Sequence, residues 1–427
     1  MRVRNIPRRA RRVWSGLLQR SGLPTRRFAR TLRTAAGRPG DRAHLLVAAP
    51  GAGNIGDQAM LEAFVAAADR PVTIVTRRDD DFVLPPDLAP RARTVALPHL
   101  LYGDGVEHRG DVRALGGLLG EAATVSIIGA DIMDGVYSLR PSVRRSTIAA
   151  VAAELGFDTT VIGFSWSPAA PAPAREALRR AGAAGARLLL RDPASAARVR
   201  DLGVAGVHET ADIVFTDERV AVDLPPELAA LPRPYALVNA SGLIARTVDH
   251  GVEYAGLVAD LRARGIHVVL LPHVLRDSAD DRAACRTVRD AVGADGVTLV
   301  AGMLSPSVIR RLAAEAEIVV TGRMHLAVMS LAQGVPAVTL ASQGKVEGLM
   351  RLFDWPQLCV APRPGMSADI RAVVADVLSD AGSRERVRLG TERARERARV
   401  NIDRIGAGGG AVRADSSGGS IDGRATT

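Results

Sequence analysis

The chain has 427 residues, 47% hydrophobic and 24% charged, with a formal net charge of +10; this suits a globular protein long enough for two domains. Aromatic residues make up only 3%, so the core has to be built from Ala, Val, Leu and Ile. Two cysteines, Cys285 and Cys359, exclude a disulfide scaffold and a cysteine-based zinc site, and no apolar run reaches the ~18–20 residues that span a bilayer.

The charge is unevenly placed. Residues 1–40 carry 12 arginines and no acid, which leaves the rest of the chain close to neutral. With Trp14, Leu17, Leu18 and Phe28 interspersed, this basic extension reads as disordered chain or as a peripheral anchor that lays arginines on anionic lipid headgroups. Clustered arginines also neutralise nucleic-acid phosphates, but no nucleic-acid partner is expected for a near-neutral body. Of the 56 basic residues a single one is lysine, Lys345, a bias that reads as GC-rich bacterial codon supply. The reduced cysteines and the lack of a signal-peptide apolar region point to the cytoplasm, at the inner face of the membrane where the extension touches lipid.

A first domain is expected over residues 41–217. The apolar run His44–Ala49 predicts a buried strand, followed by Gly51-Ala52-Gly53-Asn54-Ile55-Gly56-Asp57 and a helix over Gln58–Ala67. The glycines match the dinucleotide fingerprint G-x-G-x-x-G; more generally, they let backbone amides approach an anion at a helix start. Asp57 suits an N-cap or a sugar-hydroxyl contact. Further strands are predicted at Val72–Thr76, Thr124–Ile128, Thr159–Gly163, Arg187–Leu190 and Val207–Ala211. They present Gly129-Ala130-Asp131, Ser165 and Arg191 at their carboxyl ends. Strands alternating with helices imply a parallel sheet covered on both faces.

A Pro-rich linker over residues 218–234 marks the boundary. The second domain, 235–404, repeats the pattern with strands at Tyr235–Asn239, His267–Leu271 and Val297–Val300, and helices at Val252–Arg264, Asp280–Ala291 and Ser305–Glu315. The stretch from Glu317 to Met350 then packs two strand-to-helix switches close together. Ile318–Thr321 leads through Gly322 and Arg323 into helix Met324–Gln333, which carries His325. Ala337–Ala341 leads through Ser342 and Lys345 to Glu347. Ligands of open α/β sheets bind at such carboxyl ends. Residues 367–404 read as helical, and the Gly/Ser-rich tail 405–427 as disordered. The fold class is α/β, with two Rossmann-like doubly wound domains facing across a cleft.

Arg191, Arg323, His325 and Lys345 all stand where they can reach that cleft. Arginine grips a carboxylate bidentately, lysine is a compact charge for phosphate, and histidine transfers protons near neutral pH. Each also has a plain alternative: Arg191 pairing with Asp192, His325 satisfied within its helix, Lys345 paired with Glu347. His273 reads equally as a structural strand end. No metal-ligand spacing, nucleophile elbow or P-loop occurs.

Along roughly residues 44–355 the chain resembles the polysaccharide pyruvyl transferase family. The resemblance is carried by Gly53-Asn54-Ile55-Gly56-Asp57, Leu190-Arg191-Asp192-Pro193-Ala194-Ser195, Asn239, Arg323-Met324-His325, Gly334-Val335-Pro336 and Lys345-Val346-Glu347-Gly348. One departure is Gly129-Ala130-Asp131, where relatives more often show a glycine run before the acid. The resemblance implies a two-domain fold like the B-type glycosyltransferases. It also implies transfer of the pyruvyl group of phosphoenolpyruvate to two hydroxyls of a glycan or lipid-linked saccharide, forming a ketal and releasing phosphate, with no cofactor. By that resemblance His325, Arg323 and Asp57 are the catalytic candidates, His325 as acid and Asp57 (or Glu347) as base. Arg191, Lys345, Glu347, Asn54, Gly56, Asn239 and Ser342 are candidates for substrate binding. A nucleotide-sugar glycosyltransferase and an NAD(P)-dependent oxidoreductase remain as alternatives.

Overall fold

A computed structural model describes residues 23–276, 280–340 and 345–406. Ser342 and the extension up to residue 22 therefore lie outside the described residues, as does the tail beyond residue 406. The first sheet has seven strands: β1 (Ala43–Val47), β2 (Val72–Thr76), β3 (Ala92–Ala96), β4 (Ala122–Ala130), β5 (Asp158–Phe164), β6 (Arg187–Leu190) and β7 (Val207–Glu209). Its order is β3-β2-β1-β4-β5-β6-β7, all parallel. The second sheet has six: β8 (Tyr235–Asn239), β9 (His267–Leu270), β10 (Val297–Leu299), β11 (Val319–Thr321), β12 (Ala337–Leu340) and β13 (Cys359–Val360), in the parallel order β10-β9-β8-β11-β12-β13. Strands such as β1, β2 and β8 are buried at every position, which is why they are mostly apolar rather than strictly alternating.

Each sheet reverses its winding once, at β1/β4 and at β8/β11. A crevice opens at such a switch point because the flanking connections leave on opposite faces. The loops after β1, β4, β8 and β11 are the ones that carry Gly51–Asp57, Asp131, Asn239–Gly242 and Arg323–His325. Four helices position the site: α2 (Ile55–Ala67) after β1, α6 (Pro193–Asp201) after β6, α8 (Asp281–Val292) after β9, and α10 (Met324–Ala332) after β11. They are counted with α1 (Leu23–Ala35), α3 (Gly105–Leu119), α4 (Leu139–Glu154), α5 (Ala172–Ala183), α7 (His250–Ala263) and α9 (Pro306–Glu315). Beyond α10 come α11 (Lys345–Leu352), α12 (Ser367–Ser379) and α13 (Ser383–Ala398). One apolar core joins Ile55, Phe64 and Val65 of α2 to the second sheet, while a second fills the other face of the first sheet.

Three expectations change. Residues 23–35, read as part of the basic extension, form α1, with Phe28 and Leu32 buried; an Arg-rich helix is amphipathic only when its few apolar residues are placed on one turn-spaced face. Helix α2 starts at Ile55 rather than Gln58, so Asp57 lies in its first turn and Asn54 is the N-cap. The carboxyl-terminal helical stretch is two helices, broken at residues 380–382. Among the described residues no helix is long and apolar enough to cross a membrane.

Candidate active site

Arg191 follows directly on β6 and is 1% exposed. It does not pair with Asp192, whose carboxylate instead caps α6 by accepting from Ser195 N at 2.8 Å. Its guanidinium is spread over three elements. Nε donates to Ser165 Oγ at 2.9 Å, Nη1 to Asp212 Oδ2 at 2.9 Å, and Nη2 pairs with Asp131. Asp131 follows Ala130, a non-glycine residue held at φ 43°, in the left-handed region that favours glycine. The acid that follows it pairs with Arg191.

His325 enters from the other domain, in the first turn of α10. Its Nε2 lies 3.4 Å from Arg191 Nη1 and 3.4 Å from Asp212 Oδ2. A neutral ring accepts from the guanidinium at that atom; a charged ring donates to the carboxylate. Both protonation states therefore have a partner. Burial alone would raise the Asp212 carboxyl, but the His325 and Arg191 charges outweigh it and hold it at about 2. The other edge of the ring rests on α2: a Cβ on Gly56 would lie 2.2 Å from His325 Nδ1. Gly56 is thus the floor beneath the imidazole.

Beside it, Asp57 is buried and accepts from Arg276 Nη2 at 3.0 Å. Burial pushes its carboxyl up, partly offset by Arg276 and His325, which makes it a better proton acceptor than an ordinary aspartate. Arg276 also donates to the carbonyls of Gly51 and Ala52, and a Cβ on Gly53 would lie 2.3 Å from Leu275 O. Gly53 and Gly56 of the fingerprint-like loop thus serve close approach of the second domain, while Gly51 closes on Asp81 and Phe82 of its own, reasons other than cofactor binding for their presence.

Arg323, the N-cap residue of α10, is held by Asp281: Nε at 3.1 Å from both oxygens and Nη2 at 2.6 Å from Oδ1. Asp281 also accepts from Asn239 Nδ2, Gly242 N, His273 N and Val274 N. Asn239 is fully buried, and its amide bonds Leu271 O and Asp281; the side chain is committed to joining β8, β9 and α8. Asn54 is similarly used, its Oδ1 accepting from Gly56 N at 3.0 Å. Lys345 is the first residue of α11. Glu347 Oε2 is buried and has no hydrogen-bond partner among the described residues. A Cβ on Gly348 would lie 2.6 Å from Asp192 Cβ, so the start of α11 docks on the turn next to Arg191.

The structure therefore brings Arg191, His325, Gly56 and Asp57 into one interdomain cluster, with Arg323 beside it and the start of α11 alongside. Sequence reading missed Asp212 and Asp281. Asp212 carried a weak signal, an acid directly after a predicted strand; Asp281 carried none, since either aspartate of the pair 280–281 could have been the helix cap.

The family model described as polysaccharide pyruvyl transferase matches residues 54–344, more than half of the chain. No curated protein matches the sequence. Among solved structures, a UDP-N-acetylglucosamine 2-epimerase is similar with a TM-score of 0.56 at 10% identity, over 86% of this chain and 96% of that one. The UDP-GlcNAc 2-epimerase from Neisseria meningitidis, solved with UDP-GlcNAc, gives 0.52 at 9% identity over 85% and 98%. Sucrose-phosphate synthase from Thermosynechococcus elongatus gives 0.50 at 16% identity over 85% and 95%. At these identities the likeness establishes the two-domain architecture of B-type glycosyltransferases and nothing about substrate.

Proposed function

Because the chain belongs to the polysaccharide pyruvyl transferase family, we propose that it transfers the pyruvyl group of phosphoenolpyruvate to two hydroxyls of one sugar in a polysaccharide or glycolipid. The observation that carries this reading is His325 Nε2, placed 3.4 Å from both a guanidinium and a carboxylate. Such an atom can deliver a proton and then be recharged.

In this mechanism Arg323 and Lys345 hold the phosphate and carboxylate of phosphoenolpyruvate. Anion contact by Arg191 requires Nη2 to leave Asp131, whose side chain is 31% exposed, while the fully buried Asp212 keeps hold of Nη1. His325 protonates the methylene carbon as the first hydroxyl adds to the neighbouring carbon. The bond from that carbon to the phosphate oxygen then breaks, and its electron pair leaves with phosphate. The second hydroxyl adds in its place. Of the two hydroxyl protons, one replaces the proton given to carbon, through Asp57, and the other departs with phosphate. Oxidation levels balance without a redox cofactor. The acceptor is a glycan, lipid-linked where the arginine-rich extension meets the membrane, and the enzyme works on the cytoplasmic side.

The test is phosphate release from phosphoenolpyruvate with a bacterial glycan or lipid-linked saccharide, and mass detection of one added pyruvyl group. His325→Asn should retain the fold and lose at least ~100-fold in kcat, the usual scale of a general acid. Undiminished turnover in that variant overturns the role of His325. Thermal stabilisation by UDP-sugars with none by phosphoenolpyruvate would favour the nucleotide-sugar transferase instead.

A further inference from the structure

After β9 the chain runs across the cleft as Leu271-Pro272-His273-Val274-Leu275-Arg276, and its backbone is fixed from both sides. Ile55 N donates to His273 O at 3.3 Å, Leu275 N to Gly53 O at 2.8 Å, and Asn54 forms an antiparallel bridge with Val274. On the other side, His273 N donates at 3.1 Å to Asp281, the carboxylate that holds Arg323. His273 therefore sits between the helix start that supports His325 and the acid that supports Arg323.

Its side chain is 1% exposed, yet among the described residues neither Nδ1 nor Nε2 has a hydrogen-bond partner. Comparison with the other buried histidines sharpens the point. His44 bonds through both nitrogens, to Thr124 and Asp69. His250 bonds Ser241 O through Nε2 and packs edge-on against Tyr254. Each unmade hydrogen bond of a buried polar group costs about 1–3 kcal/mol. Burial first, then the charges of His325 and Arg323, press its pKa well below the ordinary histidine value. The ring is thus an uncharged donor and acceptor close to Arg323 and His325, and Arg276, three residues along the same segment, binds Asp57 of α2.

We propose that His273 is a further substrate-contacting residue, whose imidazole hydrogen-bonds the phosphoryl group of phosphoenolpyruvate in the bound state. This rests on the substrate reading above. An N–H donated to a phosphate oxygen stabilises the electron pair that arrives there when the carbon–oxygen bond breaks, and no proton has to be transferred for that. It also explains why an isolated imidazole is kept in a place where it destabilises the free protein.

The experiment compares wild type with His273→Leu and His273→Gln, each melted alone, with phosphoenolpyruvate and with inorganic phosphate, alongside kcat and KM. Leucine removes two unpaired polar atoms at similar volume, so the free variant should melt at or above the wild-type temperature. Its Kd for phosphoenolpyruvate and for phosphate should rise at least ~10-fold, and glutamine, which retains an N–H donor, should recover most of that loss. If His273→Leu binds both ligands as wild type does, the inference is overturned. It is also overturned if the leucine variant melts well below wild type and glutamine binds no better than leucine, since the ring then only fills space. A wild-type protein that phosphoenolpyruvate does not stabilise overturns the substrate reading itself, and this inference with it.

Discussion

Asp212 is the residue on which the histidine and the arginine of the site both depend. Its carboxyl stands at about 2 in the fold against an ordinary value of 3.8, because the His325 and Arg191 charges outweigh the burial that would raise it. A depressed carboxyl stabilises the fold above its unfolded value, and that contribution fades as pH falls from about 4 toward 2. The shift corresponds to about 2 kcal/mol. Asp212→Asn should therefore unfold more easily in urea at pH 7, by about 3 kcal/mol once the exposed cost of Arg191 is included. Its stability should also change less than that of wild type between pH 5 and pH 3. A parallel pH dependence in the two proteins would contradict the ion-pair assignment. Arg323 and His325 were legible in the sequence because a glycine-marked strand-to-helix switch places them by local rules. Asp212 and Asp281 were not: their partners are 113 and 42 residues away (325 − 212 and 323 − 281), and only a closed fold chooses them.

Helix α2 shows what an element contributes. Its N-cap satisfies Gly56 N, its first turn supplies Asp57, and its missing side chain at Gly56 leaves room for the His325 ring. Gly56→Ala would add a methyl 2.2 Å from Nδ1, so the ring must move off Asp212 and Arg191. The expected result is a loss of at least ~10-fold in kcat with secondary structure retained by circular dichroism. Gly348→Ala tests the second contact, because its methyl would press on Asp192 at 2.6 Å and push the start of α11 away from β6. We expect a higher KM for phosphoenolpyruvate there, with a smaller change in kcat. Most strands and helices were legible because β propensity and apolar runs are local; the edge strands β3 and β13 were missed. The start of α2 was missed by three residues because glycine and asparagine read as a loop until the cap hydrogen bond is known.

At the scale of the whole molecule, the chain's end ties the two sheets together. Along α13, Thr391 donates to Leu331 O at 2.6 Å and Arg395 Nη2 donates to Ala332 O at 3.0 Å, both at the end of α10. Past it, Asn401 Nδ2 reaches Thr210 Oγ1 at 3.0 Å and Ala211 O at 2.9 Å in the first domain, and Arg187 pairs with Asp403. Asn401 is buried, so Asn401→Ala removes the amide donor that Thr210 Oγ1 and Ala211 O share next to Asp212. It should lower the unfolding free energy by about 1–3 kcal/mol, seen as a lower urea midpoint at unchanged m-value. On the facing edge, Arg276 links the second domain to the glycine loop of the first.

The sequence by itself determined the two βα series and the strand ends that carry Arg191, Arg323 and His325. Alternating apolar runs and turn residues act over a few positions and need no partner to be read. Only the tertiary structure decided which acids face those cations, that the glycine loop is a seat for the second domain, and that His273 is buried with nothing to bind. Each of these depends on groups far apart in the chain meeting in a low-dielectric interior, where charge and hydrogen bonding are strong and no local pattern encodes the pairing.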